Sequence, residues 1–333
     1  MSVPLRIIFA GSPGIAVPSL ESLAELTGEN SGFELAGVLT NPDSPRGRHG
    51  RAEPTEVGAA AAILSEKLIV RGKPPLVIIK ALTLDARIRA AVGALKPDLL
   101  VSFAYGRIFG PKFLALFPLG GINIHPSLLP KYRGAAPVPA AILHRESKTG
   151  ISIQRLAAEM DSGEILAQEE FFLTGRETTE TLSNIMAWKA AALLPETVRG
   201  LASGTIVGYA QNHGDATYCS LISKEDGRID WGQSAADIDA RIRAFTPWPL
   251  CWTKQGGEYL YILEAAPWEG PEAGTSGSVD PGRVLGVDKG RGILIQTGDG
   301  VLLVTSLQYR ARKALDWQAF LNGARGFTGS RLG

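Results

Sequence analysis

The sequence predicts an α/β chain, with a mostly parallel sheet in residues 1–206, a linker over 207–224 and a small β-barrel over 225–333. Three observations carry this. Strand-length apolar runs alternate with helical spacing through the first part, as in sheets whose strands are joined by crossover helices. A long helical stretch, 179–203, closes that part. Beyond it come short strand candidates separated by glycines, the pattern of a barrel. A chain of 333 residues also exceeds one average domain.

The elements follow in order. Residues 5–10 (LRIIFA) form an apolar run closed by Gly-Ser-Pro-Gly, and Leu20, Leu23 and Leu26 then recur at helical spacing over 17–26. That is strand, glycine turn, helix. Strands are expected at 34–40, 76–79, 99–104 and 121–125, with a helix at 83–95. The long helix at 179–203 begins on Thr-Thr-Glu, a capping pattern, and Gly204 ends it. Residues 208–224 are polar and weakly periodic. A helix at 234–245 then precedes strand candidates at 259–264, 282–287, 292–297 and 300–307, with a loop over 269–280. Residues 59–62 are an alanine run, and no internal repeat is visible.

Composition excludes several classes. Lysine and arginine number 34 against 33 acidic residues, a formal net charge of +1, so any nucleic-acid surface has to be a local patch. Two cysteines, Cys219 and Cys251, without CxxC spacing argue against a disulfide framework or a cysteine zinc site. No apolar run reaches the roughly 18 residues of a membrane span. The expected compartment is the cytoplasm.

The chemistry is expected in residues 121–137. Ile122, Asn123, Ile124 and His125 alternate apolar and polar, so on a strand Asn123 and His125 share one face. Pro126 ends the strand, which places an amide and an imidazole at its carboxyl end, where parallel sheets carry their active sites. Such a pair suits acyl transfer. The Asn amide can donate to a developing oxyanion, worth roughly 3 kcal/mol for one donor, and histidine exchanges protons near neutral pH. A carboxylate would orient the histidine. Asp161 is the best candidate, with Glu159 and Glu164 as rivals. Against this, a single strand histidine is often a satisfied structural residue, and Asn before a turn is often turn chemistry. The Gly11-Ser-Pro-Gly14 turn lacks the middle glycine of the dinucleotide fingerprint, which argues against a nicotinamide site.

The stretch GGINIHPSLLPKYRGAAPV resembles the signature Asn-x-His-x-Ser-Leu-Leu-Pro-(x)3-Gly of the folate-dependent formyltransferases. FAGSPGIAVPSLESL, VSFAYGRIFGPKFL and MDSGEIL extend the likeness, which is strongest to the branch acting on methionyl-tRNA and runs over nearly the whole chain. The resemblance implies a Rossmann-like domain and an OB-like barrel, with Asn123, His125 and Asp161 as catalytic residues. The donor it implies is 10-formyltetrahydrofolate, with no metal. Phe103, Tyr105, Gly106, Ile108, Ser127, Leu128, Leu129, Pro130 and Met160 would line the folate site. The implied partner is initiator methionyl-tRNA, held by Arg46, Arg48 and Arg51 in a glycine-rich loop and by Arg310, Arg312 and Lys313 in the tail. A bacterial, monomeric enzyme is expected. An amino-sugar nucleotide or another small amine is the alternative acceptor, and an RNA-binding protein on an inactive enzyme fold is the reading from another class.

Overall fold

The computed structural model describes residues 4–27, 31–46, 50–270 and 280–333, and of Arg46 the backbone alone. The chain divides into two compact units that interleave in sequence. The first comprises Met1–Pro137, Lys148–Phe171 and Ser183–Cys219, and the second Val138–Ser147, Phe172–Leu182 and Ser220–Gly333.

In the first unit the strands are β1 (Leu5–Gly11), β2 (Phe33–Thr40), β3 (Ser44–Arg46), β4 (Arg51–Glu53), β5 (Val77–Lys80), β6 (Leu99–Phe103), β7 (Gly121–His125), β8 (Arg133–Gly134), β9 (Lys148–Arg155), β10 (Ile165–Phe172) and β11 (Tyr218–Cys219). Seven of them form one sheet in the order β10-β9-β7-β6-β1-β2-β5. Neighbours from β7 through β6, β1 and β2 to β5 run parallel, while β9 runs antiparallel to β7. Every residue of β6 is buried, because a central parallel strand is covered on both faces. The registers align Ala10, Ser102, Asn123 and Gln154 across four adjacent strands.

Helices α1 (Val17–Leu26), α2 (Glu56–Val70), α3 (Ala86–Ala94), α4 (Pro111–Leu114), α5 (Pro137–Leu143) and α6 (Thr179–Ser203) connect these strands. The leucine spacing of α1 buries Leu20, Leu23 and Leu26. Asp85 caps α3 by accepting from the Ile88 amide, which starts that helix three residues later than the spacing suggests. The sequence reading missed α2. It is capped by Thr55, whose hydroxyl accepts from the Gly58 amide at 2.9 Å, but its alanine run has no amphipathic period to announce it. Strands β9 and β10 were likewise not delimited in advance. Pro195 lies inside α6, where it cannot donate to the Ala191 carbonyl one turn back. The Ser22 hydroxyl donates to that carbonyl instead, at 2.8 Å.

The second unit carries an antiparallel sheet of β12 (Cys251–Gln255), β13 (Glu258–Pro267), β14 (Val284–Asp288), β15 (Gly292–Gln296) and β16 (Val301–Tyr309) in the order β12-β13-β16-β15-β14, with β17 (Leu315–Asp316) paired to β16. Helix α7 (Ala235–Ala244) is capped by Ser234 and α8 (Trp317–Gly323) by Asp316. The expected strands are present, with β13 and β16 longer and β14 and β15 a residue shorter than expected; β12 was not expected. Of the loop expected at 269–280, residues 271–279 lie outside the described residues. Cys219 and Cys251 are both free thiols. Among the described residues no helix is long and apolar enough to cross a membrane.

Candidate active site

Strand β7 delivers Asn123 and His125 to its carboxyl end on one face, with Ile122 and Ile124 buried in the core on the other. The loop between β9 and β10 returns Asp161 to the same place. Asn123 Nδ2 donates to Asp161 Oδ1 at 3.4 Å, and His125 Nδ1 stands 3.5 Å from Asp161 Oδ2. The rivals Glu159 and Glu164 are exposed, and Glu164 pairs with Arg155. The structure therefore selects Asp161 as the carboxylate facing the histidine.

The histidine has a defined tautomer. Its Nε2 lies 2.8 Å from the Tyr132 carbonyl oxygen, which can only accept, so Nε2 carries the hydrogen. In the neutral ring Nδ1 then holds a lone pair facing a carboxylate. Two acceptors do not bond, which fits the 3.5 Å spacing. Once protonated, Nδ1 gains a charge-assisted hydrogen bond to Asp161. The ring is built to accept a proton at Nδ1.

Asp161 is held from several sides. The Gly134 amide donates to Oδ2 and Gln154 Nε2 to Oδ1, both at 2.9 Å. Its backbone sits at φ +53°, a left-handed conformation that a non-glycine residue keeps only where its surroundings impose it. Gly134, at φ +115°, leaves no room for a Cβ against the Cys219 carbonyl. Gly163 is as tightly placed against the Arg155 carbonyl. Small residues thus let two backbone turns close around the carboxylate.

The loop after β7 is stitched by its own polar groups. Ser127 donates to the Lys131 carbonyl at 2.6 Å, and Ser152 donates to the Ser127 carbonyl while accepting from the Leu129 amide. Ser127 is fully buried, a loop-forming hydroxyl rather than an exposed nucleophile. Leu129 is buried, whereas Leu128 and Pro130 are half-buried.

The structure buries the side chains of two of the residues expected against folate. Phe103 and Tyr105 are core residues. The Tyr105 ring stacks on Phe109 and its hydroxyl donates to the Ala81 carbonyl. Strand β6 is covered on both faces, which buries Phe103, and Tyr105, just beyond its end, joins a core cluster with Phe113 and Phe117. The 104–108 stretch leaves Ala104, Gly106, Arg107 and Ile108 exposed, and Met160 is exposed on the Asp161 loop.

The formyl transferase profile matches residues 5–198, and the profile of the formyl transferase C-terminal domain matches residues 221–325. Over 323 residues the chain is 46% identical to the methionyl-tRNA formyltransferase of Treponema denticola, covering 97% of this chain and 98% of that protein. The chain belongs to the methionyl-tRNA formyltransferase family.

Solved structures support the formyltransferase fold. An N-formyltransferase from Helicobacter canadensis, in complex with folinic acid and dTDP-3-aminofucose, superposes with a TM-score of 0.62 at 18% identity, over 90% of this chain and 98% of that one. HypX from Aquifex aeolicus, in complex with tetrahydrofolic acid, gives 0.60 at 17% identity over 98% of this chain, which spans 49% of HypX.

Of the residues expected to meet tRNA, this formyltransferase exposes Arg51, Arg310, Arg312 and Lys313. The Arg310 guanidinium lies over the Tyr259 ring and that of Arg312 over the Tyr309 ring, at 5.4 and 5.5 Å. Arg46 is the last residue of β3, and Arg48 lies outside the described residues. Sequence reading missed Arg133, Gln154 and Gln211. Gln154 carried a signal, since Ser152 and Gln154 alternate with Ile151 and Ile153 on a strand buried on both faces. Gln211 carried none. It lies in the stretch read as a linker, but residues through Cys219 belong to the first unit: Tyr209 pairs with Ile165, and β11 pairs with β8.

Proposed function

We propose that Asn123, His125 and Asp161 transfer the formyl group of 10-formyltetrahydrofolate to the α-amino group of methionyl initiator tRNA. The observation that carries this is their convergence: one amide, one imidazole and one carboxylate from two separate segments meet at the carboxyl end of β7. The Tyr132 carbonyl fixes the far nitrogen of the histidine, and the Gly134 amide fixes the carboxylate oxygen that faces the ring. Membership of the family supports the acceptor, and the exposed Arg310, Arg312 and Lys313 suit its phosphates. The protein would work in a bacterial cytoplasm as a monomer.

The residues have separable tasks. One Nδ2 hydrogen of Asn123 is turned to Asp161, and the amide has a second to donate to the oxyanion that forms when the amine attacks the formyl carbon. His125 receives the amine's proton at Nδ1, by way of a water. Asp161 stabilises the resulting imidazolium, and the proton is returned to the departing folate nitrogen. Transfer is direct, with no covalent enzyme intermediate, as the buried Ser127 hydroxyl fits.

The test is a formyl-transfer assay offering charged initiator tRNA and an amino-sugar nucleotide side by side. The tRNA should be the substrate. His125→Ala and Asp161→Asn should each lower turnover by about three orders of magnitude or more while tRNA binding persists. Near-normal turnover in either variant would exclude this mechanism.

A further inference from the structure

Strand β9 places Gln154 directly across from Asn123, almost fully buried. Its Nε2 donates to Asp161 Oδ1 at 2.9 Å, and its Oε1 accepts from Gln211 Nε2 at 3.1 Å. Gln211 Nε2 also reaches the carbonyls of Asp161 and Gly163, at 2.9 and 2.7 Å. Gln211 Oε1 in turn accepts from Arg133 Nε and from one terminal nitrogen, at 3.1 and 2.6 Å. Arg133 is buried as completely as any core residue. The remaining hydrogen-bond partners of its guanidinium among the described residues are His213 Nδ1 and the Tyr218 hydroxyl, both uncharged in these roles.

This chain of groups has only one polarity. A guanidinium only donates, so Gln211 must turn its oxygen to Arg133 and its nitrogen to Gln154. Gln154 must then turn its oxygen to Gln211 and its nitrogen to Asp161. Two amide dipoles therefore align head to tail between a buried cation and the carboxylate, each polarising the next. Neither amide can flip without leaving a buried donor facing a donor, which costs roughly 1–3 kcal/mol.

We propose that Gln154 is a positioning residue for the reaction: the Arg133–Gln211–Gln154 chain fixes Asp161 with Oδ2 turned to His125 Nδ1. Gln154 does not itself touch the substrate. The inference rests on the catalytic reading of Asp161 given above.

Two variants of the full-length protein test it. Gln154→Met keeps the length of the side chain and removes both polar atoms. Its kcat should fall about 10- to 100-fold, the cost of a carboxylate misplaced by a fraction of an ångström to an ångström. KM for the folate donor and for the charged tRNA should stay unchanged. On an Asp161→Asn background the same change should add no further loss, because both act through one group. Gln154→Glu is nearly isosteric but presents an oxygen to Asp161. It resumes donation only when protonated, so its kcat relative to wild type should rise as pH is lowered from about 8 to about 6. The charged or titratable groups around this network are Asp161, His125, Arg133, His213, Tyr218 and Cys219, all common to wild type and variant, so the ratio isolates residue 154. A structural role alone would lower the melting temperature without moving this ratio. Wild-type kcat in Gln154→Met, an undiminished loss on the Asp161→Asn background, or a pH-independent ratio would each overturn the positioning role. Wild-type turnover in Asp161→Asn would remove the catalytic carboxylate and the relay with it.

Discussion

Tyr105 shows how one residue can be read two ways until its surroundings are known. The family resemblance implied a folate-facing residue here, and in the structure the ring is core and its hydroxyl is spent on the Ala81 carbonyl. Burial pushes its phenol up to about 12, against a weaker opposing pull from Arg107. The folded state keeps the phenol neutral, so this contribution is full below about pH 10, the value for an exposed tyrosine, and is lost as pH rises through about 12. Tyr105→Phe should be less stable than wild type near pH 8, by about 1 kcal/mol for the lost hydrogen bond. Near pH 12 the order should reverse, because the phenylalanine escapes a penalty of roughly 2–3 kcal/mol. Urea unfolding at the two pH values checks the crossing. Asn123 and His125 were legible because a two-residue alternation on a short strand says which side chains share a face. Gln154 was half legible. Gln211 was not, since nothing local marks a glutamine as buried when its partners are a distant arginine and a loop.

At the scale of elements, the sequence announced those whose periodicity is strong and hid those whose formation depends on neighbours. Helix α1 and strand β7 were readable from spacing alone. Helix α2 was masked by its alanines, and β12 by the proline- and tryptophan-rich stretch before it. Helix α6 was found with its bounds, but the consequence of its internal proline was not. Pro195 leaves the Ala191 carbonyl without its helical donor, and Ser22 on α1 supplies one. Ser22→Ala should therefore cost about 1 kcal/mol in the wild-type chain. Pro195→Ala should stabilise the helix, since an interior proline costs about 3 kcal/mol relative to alanine. On that background the Ser22→Ala penalty should nearly vanish, because the backbone amide restored by the substitution takes over the carbonyl. Thermal melts of the two single variants and the double variant read this coupling. Additive effects would show that the hydroxyl has another task.

For the whole molecule, charge is the informative quantity. From Glu225 to the end there are 12 lysines and arginines against 13 acidic residues, so this part of the chain has no general attraction for RNA. Affinity for tRNA must come from particular cations, and it should weaken steeply with salt. Arg310→Ala, Arg312→Ala and Lys313→Ala should each reduce the slope of log affinity against log salt by about 1, with kcat little changed at saturating tRNA. A slope identical to wild type in all three would place the phosphate contacts elsewhere. The order of the two halves was legible from the change in texture near residue 204. The interleaving was not, because the assignment of 138–147 and 172–182 to the second unit depends on contacts that leave no periodic trace.

The pairing of β11 with β8, and the reach of Gln211 back to Asp161, bear on how the enzyme comes to life during synthesis. The chain leaves the ribosome amino end first, so every strand of the large sheet exists before residues 211–219 arrive. A nascent protein paused at residue 206 would possess Asn123, His125 and Asp161, but Arg133 and Gln154 would still await their common partner. Catalytic competence should switch on late, within the few residues that complete that last short pairing, rather than growing gradually with the sheet.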